Sequence, residues 1–283
     1  MINSEINIRD PFVLVENGKY YMYGTRAKSF GCKTGGFDVY IGTDLENWSE
    51  PVEVFDSEKH GYNSQVNWAP EVHKVGDSYY MLATFTKPDG LRGTYILKSD
   101  SPEGEFLPHS KGSVTPDGWE CLDGTLYEEN GKKYCVFCHE HTQILNGTVC
   151  VVELSDDLTE AVSKPIELFD AGSYIKREAS ESCHNVTDGP FFYKTSKGKL
   201  LMIWSTSIDD NYIQCIASSD NDSVLGNWYH LEPLFKDDGG HGMIFKGLDG
   251  KLRLTLHCPN RSLFEKPVFF EIRETEDTLE IEK

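Results

Sequence analysis

Apolar and polar positions alternate along the chain in short runs, and one arrangement of them recurs five times. Residues 10–22, 69–81 and 123–135 align without a gap, and 188–200 and 241–253 align once one or two residues are allowed before the turn. Each copy is an apolar run that starts on a polar or small residue, a turn holding Asn-Gly, Gly-Asp, Lys-Gly or Asp-Gly, and a second apolar run. Such turns accept the positive φ angles of tight hairpins, so each copy predicts a β-hairpin. A third apolar run follows every hairpin, at 38–41, 94–97, 149–152, 213–216 and 268–271, and an outer run is visible at 53–55 and 166–169. Apolar spacing of helical period over ten or more residues is found nowhere.

The copies start at 10, 69, 123, 188 and 241. A four-stranded sheet of that period cannot bury both of its faces alone, whereas sheets stacked radially cover one another. The prediction is an all-β chain, a five-bladed β-propeller with four-stranded antiparallel blades. Five units use the whole chain and no Pro/Ser-rich linker interrupts them, so residues 1–283 are expected to form one domain. The last unit holds its own strands, so ring closure should need no strand exchanged with the N-terminus.

Composition narrows the partners. The chain has 27 Lys plus Arg against 46 Asp plus Glu, a formal charge of −19. Such a surface repels phosphate, which argues against nucleic acid and anionic membranes and leaves neutral or cationic ligands. No apolar run approaches the roughly 20 residues of a membrane-spanning helix. No basic region followed by an apolar core opens the chain, so a cytoplasmic location is expected, or secretion if a leader has been removed. Several of the eight cysteines sit in apolar runs, where Cys acts as a small hydrophobe. Cys135 and Cys138, three apart on a strand, face opposite ways and make a poor metal or redox pair.

In a propeller the first strand of each repeat lines the central channel, and its starting residue lies at one mouth. Those positions hold Asp10, Ala69, Asp123, Asp188 or its neighbour Gly189, and His241. Crowded carboxylates repel one another and cost stability, which points to chemistry rather than folding. Glu71, two residues beyond Ala69, is expected to point toward the same channel. Arg9 can pair with a substrate group or a structural carboxylate, and His241 can be a core residue or a ligand for a channel cation or water. Trp68 can stack on a sugar face. The candidate substrate-binding residues are Trp68, Asn67, Arg9, His139 and Trp204. Paired carboxyls around a pocket suit glycoside cleavage, one as general base for water and one as general acid for the leaving oxygen. No G-x-S-x-G context and no phosphate-cradling glycine loop is present.

Arg9-Asp10-Pro11-Phe12, Trp68-Ala69-Pro70-Glu71-Val72, Leu122-Asp123-Gly124, Thr187-Asp188-Gly189-Pro190 and Gly240-His241-Gly242 together resemble glycoside hydrolase family 43, one motif per blade in order. The resemblance implies a five-bladed propeller, an inverting mechanism and arabinose- or xylose-type substrates, with galactofuranose a further option. It implies that Asp10 is the general base and that Asp123 tunes and orients the acid. The family's acid is usually a Glu before Gly-Pro, and here that position is Asp188. Three readings remain at this level: Asp188 is the acid, Glu71 is the acid, or activity has been lost. The resemblance also places His241 where relatives contact a channel cation, often calcium, through water; the chemistry itself requires no cofactor. Two other functions fit the propeller. A sugar phosphorylase needs basic residues near the carboxyls, for which Arg26, Lys28, Arg92, Arg177 and Arg261 are candidates. A non-catalytic carbohydrate-binding propeller needs none. The sequence carries no indication of oligomeric state.

Overall fold

Residues 1–27 and 35–282 are described by the structure, a computed structural model; Lys28 and Cys32 lie outside them. Five four-stranded antiparallel sheets follow one another along the chain. The first blade is β1 (Ile8–Glu16), β2 (Lys19–Arg26), β3 (Phe37–Gly42) and β4 (Val52–Phe55). The second is β5 (Asn67–Val75), β6 (Ser78–Thr86), β7 (Arg92–Ser99) and β8 (Leu107–Pro108). The third is β9 (Cys121–Glu129), β10 (Lys132–His139), β11 (Thr148–Leu154) and β12 (Ile166–Asp170). The fourth is β13 (Asp188–Lys194), β14 (Leu200–Ile208), β15 (Asn211–Ser219) and β16 (Trp228–His230). The fifth is β17 (Gly240–Lys246), β18 (Leu252–Cys258), β19 (Lys266–Glu274) and β20 (Leu279–Ile281). Every strand pairs with its sequence neighbours, so no blade borrows a strand, and the five-bladed propeller is the fold.

Local chemistry explains the hairpins. Asn17-Gly18 and Asn130-Gly131 both take positive φ at both residues (49° and 72°; 54° and 75°), the geometry of a two-residue hairpin turn. Among the described residues the polar linkers hold two short α-helices, α1 (His141–Ile144) and α2 (Ala171–Ile175), and a 3-10 turn at Asn3–Glu5 precedes β1.

The core lies between blades. Phe37, Phe55 and Phe85 meet where the first and second blades face each other, with ring centroids 5.5–6.0 Å apart. Trp204 is fully buried between the third and fourth blades, against Phe169 at 5.2 Å and Tyr174 at 5.7 Å. Strand alternation sends Cys135 into one interblade cluster and Cys138 into the other. The seven described cysteines are unpaired, and burial pushes the Cys135 and Cys138 thiols up, away from reactivity. The ring closes through Arg9, whose Nη1 lies 3.0 Å from Oε1 of the buried Glu265 and donates to Asn260 Oδ1 at 2.8 Å.

Candidate active site

Each inner strand carries an irregularity at the same place. Pairing shifts register between Arg9 and Phe12, Trp68 and Glu71, Asp188 and Phe191, and Gly240 and Met243, and β9 shifts between Leu122 and Thr125. The residue inside each bulge is left-handed: Asp10 (φ 53°), Ala69 (46°), Asp123 (57°), Gly189 (47°) and His241 (51°). A bulge re-aims a side chain out of the alternating pattern. Five of them at one mouth turn these positions to the axis.

A ring of side chains fixes the bulges. The N–H of Ala69 donates to Thr25 Oγ1 (2.7 Å), that of Asp123 to Thr84 Oγ1 (3.0 Å), that of His241 to Ser205 Oγ (2.7 Å) and that of Asp10 to His257 Nδ1 (3.2 Å). Thr25, Thr84, Ser205 and His257 occupy equivalent places on the second strands, opposite Arg9, Trp68, Asp188 and Gly240. In the third blade the equivalent residue, opposite Leu122, is Cys138, a weak acceptor. There the N–H of Gly189 donates instead to Asp123 Oδ2 at 3.1 Å. This bond holds the Asp123 carboxyl beside the fourth blade.

Asp10, Asp123, Asp188 and Glu140 converge on one cavity of about 240 Å³, with Arg9, Trp68, Arg92, His141 and His241 also in its wall. His241 Nδ1 stands between two of the acids, 3.2 Å from Asp10 Oδ1 and 3.6 Å from Asp123 Oδ2. Thr25 donates to Asp10 Oδ2 at 2.6 Å. Tyr212 donates to Asp188 Oδ2 at 2.9 Å.

The carboxyls are driven apart in acidity. Burial pushes Asp10 up, but His241, the Arg9 guanidinium and the Thr25 hydroxyl outweigh it and hold the group below its ordinary range. His257 adds a hydrogen bond rather than a charge, because burial lowers its imidazole to about 3 and leaves it neutral. Burial raises Asp123 and Asp188 well above the usual carboxylate range. The charges of Asp10 and Glu140 raise Asp123 further, against the hydrogen bonds from Gly189 and Asp188 that lower it, and Asp123 in turn raises Asp188. Raised together, the two titrate as a coupled pair that gives up its proton less readily than an isolated carboxyl. The site can therefore present an ionised carboxylate and a carboxylic acid to one ligand at neutral pH.

The structure brings Asp10, Asp123, Asp188, Arg9, Trp68 and His241 together and leaves the other candidates out. Glu71 lies outside the cavity wall, because the bulge at Ala69 breaks the alternation that would have aimed it at the axis. Its Oε2 faces His73 Nε2 at 3.1 Å. Asn67 is fully buried, accepting from Gly36 N and donating to Asn63 O at 2.8 Å. His139 stacks on Trp119 at 4.2 Å and is bonded to Gln143. Trp204 faces the interblade core, since alternation along β14 turns it away from the mouth. None of these four lines the cavity.

Of the four described residues among the phosphate candidates, Arg92 alone lines the cavity, and it is paired with Glu120 and Glu140; Arg9, also in the wall, is paired with Glu265. Arg26 binds Asp38 and Glu53, Arg177 binds Asn185, and Arg261 lies over Phe264. The channel offers a cation no direct cage: His241 turns Nδ1 to two carboxyls, and no three His, Cys, Asp or Glu residues among those described are grouped to hold a metal. Sequence reasoning missed Glu140, Tyr212 and His257, and named Arg92 only as a possible phosphate partner. His257 alone carried a signal, since it falls in register with Thr25, Thr84 and Ser205 on the second strand of its repeat.

Residues 4–276 match the family model described as Glycosyl hydrolases family 43. A solved endo-arabinase from Bacteroides thetaiotaomicron VPI-5482 is 35% identical, with a TM-score of 0.87 over 98% of each chain. An endo-1,4-beta-xylanase from the same strain shares the fold at 23% identity, with a TM-score of 0.81 over 100% of this chain and 96% of that one. Alpha-L-arabinofuranosidase B of Pyricularia oryzae is 26% identical over 170 residues, which take in 56% of this chain and 33% of that protein, so the match spans about a third of that relative's length. With that family model matching nearly the whole chain, the chain belongs to the glycosyl hydrolases of family 43.

Proposed function

We propose that this glycoside hydrolase works with inversion, releasing arabinofuranosyl or xylosyl residues from oligo- or polysaccharides. The observation that carries the reading is the split in acidity within one cavity: Asp10 held ionised, the Asp123–Asp188 pair holding a proton. Asp10 takes a proton from water as the water oxygen bonds to the anomeric carbon. The anomeric C–O bond breaks, and Asp188 passes its proton to the departing oxygen. Asp123, fixed by Gly189 N–H, keeps that proton on Asp188 until it is needed, because two adjacent carboxylates cannot both ionise cheaply. Between turnovers the proton gained by Asp10 leaves to solvent and the pair takes one up.

The sugar class rests on the 35% identical arabinase and on the cavity, whose small volume suits one sugar ring flanked by the indole of Trp68. A neutral glycan also suits a surface of charge −19. The phosphorylase reading loses support because the wall's arginines are occupied by carboxylates.

The test is proton NMR of the anomeric signal during hydrolysis of aryl α-L-arabinofuranosides and β-D-xylosides. The first product formed should carry the inverted configuration, and the rate should not depend on inorganic phosphate. Retention of configuration, or a strict need for phosphate, rejects the reading.

A further inference from the structure

Asp188 stands where the family's acid is usually a Glu, so its carboxyl hangs on one methylene fewer. It opens β13, lines the cavity and keeps part of its surface accessible, whereas Asp10 and Asp123 are buried. Tyr212, on β15, donates its hydroxyl to Asp188 Oδ2 at 2.9 Å. Tyr212 is only 2% exposed and takes no part in the cavity wall. It meets the site through Asp188.

The phenol ring is clamped. It lies nearly parallel to the imidazole of His257, with 5.6 Å between ring centroids and 22° between planes. Elsewhere it passes over Gly240, where a Cβ would come 2.7 Å from Tyr212 Cε1 and 2.9 Å from Cδ1. Gly240 is not left-handed, so space for this ring, and for Ser205 Oγ at the same 2.7 Å, is what calls for a glycine there. The backbone is tied as well, since Gly239 N–H donates to Tyr212 O at 3.0 Å. A phenol hydroxyl lies on the axis of its ring, so a clamped ring fixes where the hydroxyl stands, and here it stands on Asp188.

We infer that Tyr212 is a positioning residue for the general acid: its clamped hydroxyl holds the Asp188 carboxyl by Oδ2 in one orientation, so that this short side chain meets the departing oxygen from a fixed place. This rests on the reading of Asp188 as the acid. Misplacing a reacting group by about 1 Å can cost about 100-fold in rate, so a carboxyl free to turn is a poorer acid. The hydroxyl has a second effect, because a donor favours the ionised carboxylate. Around Asp188 stand Asp123 from β9, Glu140 after β10, the buried thiol of Cys138 and His241 from β17. Burial and Asp123 raise its pKa, as does Glu140, while His241 and the Tyr212 hydroxyl oppose them. Taking the hydroxyl away therefore loosens the acid and lets its pKa climb.

Tyr212→Phe keeps the ring and removes only the hydroxyl. kcat and KM are measured for wild type and variant on the dinitrophenyl and methyl glycosides of whichever unit, arabinofuranosyl or xylosyl, the wild type cleaves faster. Dinitrophenolate leaves without a proton; methoxide needs one. The variant should lose about 10- to 100-fold in kcat on the methyl glycoside and less than about three-fold on the dinitrophenyl one, with KM unchanged on both. The alkaline limb of kcat on the methyl glycoside should move to higher pH. An equal loss on both substrates, no loss on either, or an alkaline limb left in place overturns the inference, because lost packing alone distinguishes neither leaving group nor pH. Should Tyr212→Phe fail to fold, a ring-fluorinated tyrosine at position 212 is a stronger donor of nearly the same shape. It should move the alkaline limb to lower pH, and an unmoved limb again overturns the inference. Failure of the underlying reading looks different: Asp188→Asn would then keep the wild-type rate on the methyl glycoside.

Discussion

Asp10→Asn is the most direct probe of the proposed chemistry. The substitution is nearly isosteric, and the new side chain can still accept from the Thr25 hydroxyl that now donates to Oδ2 at 2.6 Å. What it removes is the negative charge facing His241 and the ability to take a proton from water. General base catalysis contributes about 10²–10⁴-fold, and the amide also places a neutral group where a charge steadied the developing positive charge of the sugar. A fall in kcat of about 10³–10⁴, or roughly 4–5.5 kcal/mol of barrier, with KM changed only a few-fold is the expected result. The pH profile adds a second, independent readout. Because Asp10 is held below its ordinary range, the wild-type rate should drop as pH falls through that depressed pKa, where the base becomes protonated. Because the Asp123–Asp188 pair is raised, the rate should drop again as pH climbs through the raised value and the acid loses its proton. In Asp10→Asn the acidic limb should vanish and the alkaline limb remain. Release of nitrophenol from the preferred aryl glycoside, followed across pH on protein shown by circular dichroism to be folded, supplies both numbers. A variant within ten-fold of the wild-type rate, with the acidic limb intact, would refute the assignment of Asp10 as base.

Three further outcomes follow from the same geometry. Asp188→Asn should abolish turnover of unactivated substrates yet melt higher than the wild type in mildly alkaline buffer. A group with a raised pKa loses its stabilising proton as pH rises, and the amide has none to lose; each kcal/mol of repulsion relieved is worth about 2–4 °C in a scanning calorimeter, and a lower Tm than wild type at that pH would contradict the coupled-pair picture. Gly189→Ala should cost at least ten-fold in kcat, because φ is 47° and a Cβ there would sit 2.6 Å from the His241 ring, displacing the imidazole from Asp10 and Asp123; a wild-type rate would show that His241's position is immaterial. Trp204→Ala should destabilise by about 3–5 kcal/mol as a core cavity while leaving the KM of the folded enzyme unchanged, and a selective rise in KM would return Trp204 to the binding site.

The hairpin turns, the five-fold period and the apolar runs were legible in the sequence because they are local: Asn17-Gly18 sets its own turn, and strand alternation sorts Cys135 from Cys138 without help from distant residues. Asp10, Asp123 and Asp188 were legible too, since repeated units that stack about one axis must bring equivalent starting positions together. Tertiary structure alone decided the rest. Five bulges break the alternation where the strands meet the channel, so the rule that would have sent Glu71 inward fails at that point, and the slot equivalent to Asp10 in the fourth blade is Gly189 rather than Asp188. Glu140 and Arg92 belong to different blades and carry no repeat signature; only the closed ring sets them against each other and against the cavity. Protonation was likewise beyond the sequence, because three chemically identical aspartates differ in acidity only through burial and through the charges that the fold places beside each one.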